Sequence, residues 1–190
     1  MSKLSRSFFI IHGTGGSPQG NWFPWISSEL KKLGQEVAVP QFPLDQQQNL
    51  SNWFKAFEAT VGQLTSGHVL VGHSIGAAFV LRLLERASVK VAGAVLVAPF
   101  ARQLDNPDFD PFNATFVEPA FDWTKIRKAA DKFIVYSGDN DPYVPTSVGA
   151  EVARELGCEC NLIEGGGHLN ASSGYLSFER LLGDLRKAFL

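Results

Sequence analysis

Residues 68–87, HVLVGHSIGAAFVLRLLERA, carry the pattern that decides the fold. The run starts with residues that are apolar at both even and odd positions, as in a strand buried on both faces of a parallel sheet. It ends with residues that are apolar nearly all round a helix, as in a central and well-covered helix. The segment Gly72-His73-Ser74-Ile75-Gly76 follows the strand directly and opens the helix. A strand that passes straight into a buried helix is typical of α/β proteins.

Further short apolar runs extend this pattern along the chain. They cover Ser7–Ile11, Glu36–Val39, Gly93–Val97, Lys132–Tyr136 and Glu159–Ile163. Stretches with helical periodicity lie between them, and no repeat or low-complexity linker divides the chain. The sequence therefore predicts a doubly wound α/β sandwich, with a parallel sheet between helices, formed by residues 1–190 as a single domain.

The composition argues against several classes of protein. The chain has 190 residues, of which 45% are hydrophobic and 19% charged, as in an ordinary globular protein. Its 17 Lys and Arg against 19 Asp and Glu give a net charge of −2, and without a basic cluster nucleic-acid binding is not expected. The apolar runs are far shorter than the ~20 residues of a membrane helix, and no signal-peptide pattern starts the chain. We expect a cytoplasmic protein, monomeric or weakly dimeric, with no nucleic-acid or membrane partner.

Cys158 and Cys160 are the two cysteines, and they lie two positions apart in an apolar run. Positions i and i+2 of a strand are too far apart for a comfortable disulfide, and two cysteines are too few for a four-ligand zinc site. We expect two small core residues in a buried strand. No His-Glu-x-x-His pattern or Cys/His ligand spacing occurs either, so no metal and no other cofactor is predicted.

Ser74 is the candidate nucleophile. It occupies the centre of a G-x-S-x-G pattern, which at a strand-to-helix turn forms a nucleophile elbow: the tight turn requires flanking glycines and exposes the hydroxyl above the sheet. The pattern alone is common by chance. Its position between a buried strand and a helix N-terminus gives it weight.

A nucleophilic serine needs a base, and His168 is the candidate. Catalytic residues of such sheets lie on loops at the carboxyl ends of strands. His68 begins a strand, His73 adjoins the serine and should point away from it, and His12 precedes a glycine loop with another use. His168 follows the last strand, after three glycines that allow the chain to cross the sheet edge.

The acid that orients this base should come from the loop after the fifth strand. That loop, Gly138–Pro145, contains two candidates. Asp141 is preferred because the following proline fixes the local turn, and Asp139 is held in reserve. A carboxylate that only caps the next helix is the alternative for either residue. The order Ser74, Asp141, His168 is the one expected for a catalytic triad on this scaffold.

Two backbone N–H groups are candidates for an oxyanion hole. Ile75 follows the nucleophile, and Thr14 lies in the small-residue loop 12–16 after the first strand. A phosphate-binding loop is the rival interpretation of this loop, but its motifs require a glycine where Pro18 stands or a lysine where Asn21 stands.

The long connection 100–122 is rich in proline and phenylalanine. It could form a small lid over a pocket or a satellite core beneath an irregular loop, and the sequence leaves both open. For Trp22 and Trp25, packing in the core is at least as plausible as a place in the wall of a pocket. The candidate pocket residues are Trp22, Trp25, Phe109, Phe112 and Phe116.

The chain resembles the α/β-hydrolase superfamily, and within it the small single-domain serine hydrolases, a family with bacterial members and a retinoblastoma-binding animal member. The resemblance covers nearly the whole chain. The motifs that carry it are His12–Ser17 with Asn21-Trp22, Gly72–Gly76, Pro119–Trp123, Asp141–Pro145 and Gly167-His168. It implies six parallel strands in the order 2-1-3-4-5-6, without the antiparallel hairpin of larger relatives. It also implies a triad of Ser74, Asp141 and His168.

One departure from the animal relative concerns its Leu-x-Cys-x-Glu contact with the retinoblastoma protein. The matching stretch, Leu156–Cys160, ends in cysteine instead of glutamate. We therefore expect no partner of that kind. The expected activity is a metal-free serine hydrolase acting on carboxylic esters, with a small-molecule acyl substrate. An amide or peptide hydrolase with the same triad, or a non-catalytic interaction module on this scaffold, stays open.

Overall fold

The computed structural model describes residues 6–190. Within them six strands alternate with α-helices. The strands are β1 Ser7–Ile11, β2 Glu36–Ala38, β3 His68–His73, β4 Gly93–Val97, β5 Phe133–Gly138 and β6 Cys160–Ile163. The helices are α1 Phe23–Lys32, α2 Leu50–Val61, α3 Ile75–Arg86, α4 Asp110–Val117, α5 Trp123–Lys128, α6 Thr146–Leu156 and α7 Glu179–Phe189. Short 3₁₀ turns cover Asp45–Gln47 and Ala171–Ser173. None of these helices is long and apolar enough to cross a membrane.

The strands form one sheet in the order β2-β1-β3-β4-β5-β6, and every neighbouring pair is parallel. The predicted fold and strand order are confirmed. In the parallel register Ile11 lies opposite Gly72, and His73 lies opposite Val97. The carboxyl ends of β1, β3 and β4 therefore meet at one edge of the sheet, where the loops that follow them converge.

Each face of the sheet carries its own apolar core, because successive side chains of a strand point to opposite faces. Phe8 and Ile10 of β1 belong to the cluster that α1 and α7 cover. Phe9 and Ile11 belong to the larger cluster that α2, α3, α4, α5 and α6 cover. Most positions of α3 are buried, as its sequence predicted. Helices on both faces make a three-layer sandwich.

The edge strand β6 corrects the prediction for the cysteines. It begins at Cys160, so Cys158 lies before the strand, and both thiols are half-buried instead of fully buried. An edge strand has a neighbour on one side only, and Leu162 within it is 49% exposed. Burial raises the pKa of the Cys158 thiol to about 11, so this cysteine is a thiol and not a thiolate at neutral pH.

The start of α1 has no capping side chain. Trp22 occupies the N-cap position. The Oδ1 atom of Asn21 instead accepts a hydrogen bond from the N–H of Ala171, 2.9 Å away. The residue joins two loops above the sheet.

Ser137 of β5 and Gly149 of α6 are in close contact. A Cβ atom at position 149 would lie 2.0 Å from Ser137 Oγ and 3.1 Å from Ser137 Cβ. The Ser137 hydroxyl is buried and has no hydrogen-bond partner within residues 6–190. The glycine therefore allows α6 to pack closely on the strand that leads to the candidate acid.

We predict that Gly149→Ala lowers the free energy of unfolding by about 1–3 kcal/mol, because the clash exceeds the roughly 1 kcal/mol that alanine gains over glycine in a helix. Ser137→Ala alone should cost little, since it removes an unpaired buried hydroxyl. In the double variant at least half of the loss should be recovered, as measured by urea unfolding. Equal destabilisation by Gly149→Ala in both backgrounds would contradict this packing.

Candidate active site

Ser74 lies in a sharp turn between β3 and α3. Its backbone adopts φ 57° and ψ −125°, a left-handed conformation that is rare outside glycine. Its N–H donates to the carbonyl oxygen of Val97, 2.9 Å away. Cβ atoms at Gly72 and Gly76 would lie 2.4 Å and 2.5 Å from backbone oxygens, so both positions require glycine. These constraints fix the strained turn that presents the serine.

His168 and Asp141 form a buried pair. The Nδ1 atom of His168 lies 2.8 Å from Asp141 Oδ2, and the two side chains are 9% and 1% exposed. The other carboxylate oxygen, Oδ1, accepts the N–H groups of Tyr143 and Val144 at 2.8 Å and 3.0 Å. Both carboxylate oxygens are therefore bonded. Among residues 6–190 the Nε2 atom of His168 has no hydrogen-bond partner, so it is the free nitrogen of the ring there.

The turn that carries Asp141 is attached to the glycine loop that carries His168. Asp139 Oδ1 accepts the N–H of Gly165 at 2.8 Å, and Asn140 Oδ1 accepts the N–H of Gly167 at 2.6 Å. Asp139, the reserve candidate for the acid, thus binds loop backbone, and Asp141 is the carboxylate that faces the imidazole. The sequence reasoning missed Asn140, although it lies inside the loop singled out there.

His73 supports the same loop from below. Its Nε2 lies 2.9 Å from the carbonyl oxygen of His168. Because a carbonyl can only accept, the proton is on Nε2, and Nδ1 is a buried acceptor without a partner among the described residues. Burial, and next the imidazole of His168, lower the pKa of His73 to about 3. His73 therefore stays neutral and holds the backbone of His168.

His12 fixes the loop on the opposite side of Ser74. Its Nδ1–H donates to the carbonyl oxygen of Gly13 at 2.8 Å, and its Nε2 accepts the N–H of Phe42 at 3.0 Å. Burial lowers the pKa of His12, which keeps the ring in this neutral form. The loop 12–16 is thereby held against the elbow.

The N–H group of Thr14 lies in the loop after β1, and that of Ile75 directly follows Ser74 at the start of α3. Within residues 6–190, neither N–H takes part in the backbone hydrogen bonds of the turns and loops. Ile75 is the first residue of α3, so its N–H has no acceptor inside the helix either. Within the described chain both N–H groups therefore lack a protein acceptor.

A polar network connects Thr14 to the connection 100–122. Thr14 Oγ1 donates to Asn113 Oδ1 at 2.9 Å and accepts from Gln48 Nε2 at 3.1 Å. Asn113 is 3% exposed and belongs to α4. One turn of α4 is thus bonded to the candidate oxyanion loop.

These groups surround one cavity of about 290 Å³. Ser74 and His168 both line it, together with the loop 12–16. The rings of Phe109 and Tyr143 pack edge to face, 5.7 Å between centroids, and Tyr143 packs in the same way on His168 at 5.0 Å. A small cavity with an aromatic wall therefore lies at the carboxyl ends of the strands.

Four of the five predicted pocket residues lie outside this cavity, and Phe109 alone of the five lines it. Phe116 is fully buried in the core beneath α4, and Phe112 turns toward the surface. Trp25 packs against the cluster under α1 and α7. Within the connection 100–122, Phe116 therefore joins the main core and Phe109 lines the cavity, while a lid function stays a prediction.

Trp22, the remaining predicted pocket residue, supports the loop of the base. Its ring is fully buried, and its Nε1–H donates to the carbonyl oxygen of Leu169 at 3.0 Å. Leu169 directly follows His168 and has a left-handed backbone, with φ 51°. The tryptophan therefore holds the histidine loop instead of contacting a ligand.

Metal-binding residues do not cluster in the described part of the chain. Within residues 6–190 no three His, Cys, Asp or Glu side chains lie close enough together to hold a metal ion. The hydroxyl of Ser74 and the imidazole of His168 line the cavity, and the carboxylate of Asp141 binds that imidazole from outside the lining.

A family model described as serine hydrolase matches residues 8–187, nearly the whole chain. The chain belongs to the serine hydrolase family. The resemblance inferred from the motifs is thereby confirmed. Among curated relatives, this serine hydrolase is 28% identical over 176 residues to YdeN from Bacillus subtilis (strain 168), covering 92% of this chain and 91% of YdeN. It is 24% identical over 162 residues to serine hydrolase RBBP9 from Rattus norvegicus, covering 84% of each chain.

Solved structures agree with this family. The crystal structure of the B. subtilis ydeN product superposes with a TM-score of 0.90 and 27% identity, covering 97% of this chain and 99% of that one. A structure from the study of the metagenome-derived lipolytic enzymes LipS and LipT superposes with a TM-score of 0.72, covering 96% and 94%. At 17% identity the latter likeness shows a shared fold.

The buried His73 of this serine hydrolase predicts a loss of stability in mild acid. The folded protein keeps His73 neutral down to about pH 3, whereas the unfolded chain binds a proton near pH 6.5. Lowering the pH below 6.5 therefore favours the unfolded chain. This residue alone should lower the free energy of unfolding by about 1 kcal/mol per pH unit near pH 5.5. Burial also lowers the pKa values of His12 and His68, which act in the same direction.

His73→Gln removes this titration, while its amide can still donate to the carbonyl of His168. The variant should show a flatter dependence of unfolding free energy on pH than the wild type, measured by urea unfolding between about pH 7 and pH 5. The same slope in both proteins would mean that His73 does not stay neutral in the fold.

Proposed function

We propose that this serine hydrolase cleaves carboxylic esters through an acyl-enzyme on Ser74, with His168 as the base and Asp141 as the acid that orients it. The observation that carries the proposal is the 2.8 Å hydrogen bond from His168 Nδ1 to a carboxylate that is only 1% exposed, beside the cavity that Ser74 lines. Such a pair fixes the tautomer of the imidazole and leaves Nε2 able to take a proton.

In the first half of the reaction the hydroxyl of Ser74 gives its proton to His168 Nε2. The oxygen of Ser74 forms a bond to the ester carbonyl carbon, and the π electron pair of the carbonyl moves onto the carbonyl oxygen. The N–H groups of Thr14 and Ile75 bind that oxyanion, with the N-terminus of α3 adding a favourable dipole. Asp141 stabilises the imidazolium that forms.

Collapse of this intermediate breaks the bond to the alcohol, which leaves with the proton of His168 Nε2. Water then repeats the sequence on the acyl-enzyme: it gives a proton to Nε2 and attacks the carbonyl carbon. The bond to Ser74 breaks, the acid leaves, and Nε2 returns the proton to the oxygen of Ser74. The product pair is one carboxylic acid and one alcohol. Amide hydrolysis would use the same groups, and assaying the anilide that matches each ester separates the two activities.

The substrate in this proposal is a small molecule, and no cofactor takes part. The cytoplasmic location, the single domain and the monomeric or weakly dimeric state remain predictions from the sequence.

Ser74→Ala should abolish both ester turnover and covalent labelling by a fluorophosphonate probe, because the alanine has no oxygen to attack carbon or phosphorus. Labelling is read by intact-protein mass spectrometry, and turnover with a 4-nitrophenyl ester. Ser137→Ala is the matched control, since it removes the hydroxyl of a serine that does not line the cavity. Labelling that persists in Ser74→Ala would place the nucleophile elsewhere.

Asp141→Asn should lower kcat/KM by about a thousandfold or more, because a neutral amide neither fixes the tautomer of His168 nor stabilises its charge. Asp139→Asn keeps the oxygen that accepts the N–H of Gly165 and should change kcat/KM by less than about threefold. The two variants make the same substitution at positions two residues apart in one turn, so Asp139→Asn is the matched control for Asp141→Asn. A larger loss in Asp139→Asn than in Asp141→Asn would exchange their roles.

A further inference from the structure

The lining of the cavity is polar without being charged. Within the described part of the chain, no Lys, Arg, Asp or Glu side chain lines it. Apart from the groups of the proposed mechanism, its polar side chains are dominated by one residue type, which the sequence reasoning did not assign to the site. These are Asn21, Asn106, Asn113 and Asn170.

Two of these asparagines have their orientation fixed by the backbone. Asn106 Oδ1 accepts the N–H of Asp108 at 3.0 Å, and Asn170 Oδ1 accepts the N–H of Ser173 at 3.1 Å. Because a backbone N–H can only donate, the atom facing it is the amide oxygen. The other end of the side-chain amide, the Nδ2 group, donates to no protein acceptor within residues 6–190.

The other two asparagines are held in the same sense. Asn21 Oδ1 accepts the N–H of Ala171 at 2.9 Å. Asn113 Oδ1 accepts the hydroxyl of Thr14 at 2.9 Å and also lies 3.5 Å from Gln48 Nε2. In the described chain the Nδ2 groups of both asparagines also lack a protein acceptor. All four residues therefore use their oxygen to hold the loops and keep their NH₂ group available.

A set of free donors without a charge selects a particular ligand chemistry. Amide NH₂ groups bind acceptor oxygens, and a ligand without acceptors that displaces water from such donors leaves them unpaired and binds less tightly. A carboxylate or phosphate ligand would have to leave water without a cation to pair with, which is costly. The volume of about 290 Å³ lies at the small end of ligand sites. A small, neutral, oxygen-bearing ligand fits these conditions.

The alcohol portion of an ester is the part that would contact the asparagine NH₂ groups near His168. In the proposed reaction His168 protonates the leaving alcohol, so the alcohol lies next to that ring. Asn170 follows His168 by two residues, and Asn21 bonds the next residue of the same loop, Ala171. By contrast, Phe100, Leu104 and Phe109 give the cavity an apolar wall suited to a short acyl chain.

We infer that the physiological substrate is a neutral short-chain ester whose alcohol portion carries further acceptor oxygens, as in an acylated polyol, and that Asn170 is a specificity-determining residue for it. This inference rests on the proposed function and deepens it. The donors of Asn21 and Asn170 bind ether or hydroxyl oxygens of the alcohol, while the acyl chain packs on the apolar wall.

Isosteric ester pairs test the inference. Butyl butanoate and 2-methoxyethyl butanoate differ by one CH₂ replaced with oxygen in the alcohol, and each rate is divided by the rate of hydroxide-catalysed hydrolysis to remove differences in intrinsic reactivity. One recovered hydrogen bond corresponds to a preference of about fivefold in kcat/KM for the ether. Pentanoate and 3-methoxypropanoate esters make the same change on the acyl side, where a smaller preference is expected because Phe100, Leu104 and Phe109 line that wall.

Asn170→Asp supplies the sharper test. The aspartate keeps the oxygen that accepts the N–H of Ser173 but presents an acceptor where the asparagine presents NH₂. The preference for 2-methoxyethyl butanoate should disappear, and turnover of the cationic ester butanoylcholine should rise by about fivefold relative to butyl butanoate. General effects on catalysis cancel in these ratios. Asn49→Asp, which adds the same charge at the cap of α2 outside the cavity, should leave both ratios unchanged.

The outcomes separate the two proposals. If the wild type hydrolyses both members of the alcohol-side pair equally fast after correction, or if the larger preference lies on the acyl side, the inference is overturned while the esterase proposal stands. If Asn170→Asp leaves the ratios at their wild-type values, Asn170 does not determine specificity. If no ester is turned over and Ser74 takes no fluorophosphonate label, the proposed function itself fails.

Discussion

The buried hydrogen bond between His168 and Asp141 sets the main requirement on this structure. A carboxylate that is 1% exposed is tolerated only where donors replace its hydration. The imidazole supplies one donor, and the N–H groups of Tyr143 and Val144 supply two more. These groups lie on loops that follow two different strands, so the sheet must hold the ends of β5 and β6 in register. The bonds from the turn 138–141 to the glycine loop complete that alignment.

Burial and hydrogen bonding divide three imidazoles of the site into distinct roles. His12 and His73 each donate to a backbone carbonyl, and burial lowers the pKa of both rings. They therefore stay neutral and hold the loop backbone in place. His168 alone of the three faces a carboxylate. Burial disfavours a positive charge on His12 and His73. The same residue type thus serves as scaffold and as proposed base according to its neighbours.

The sequence was sufficient to predict the sheet and the loops at its strand ends, but it predicted the lining of the cavity poorly. Parallel strands bring their carboxyl ends to one edge, which is why Ser74, Asp141 and His168 could be proposed from local motifs together with their loop positions. Pocket walls depend on which way each ring turns after packing, and no periodicity specifies that for Trp22 or Phe116. The asparagines were missed because asparagine in a loop is usually a turn former, and only hydrogen-bond partners reveal that its NH₂ group is free.

The bond between Thr14 and Asn113 has a consequence for how this scaffold can change. A connection that shapes the binding cavity is often regarded as a module that can be exchanged without touching the reacting groups. Here one turn of α4 is bonded to the loop proposed to bind the oxyanion, so remodelling the wall also alters the support of that loop. Grafting a foreign insert between β4 and β5 would therefore need an equivalent amide at position 113. In the proposed mechanism, a substitution that reshapes this wall would therefore also affect turnover.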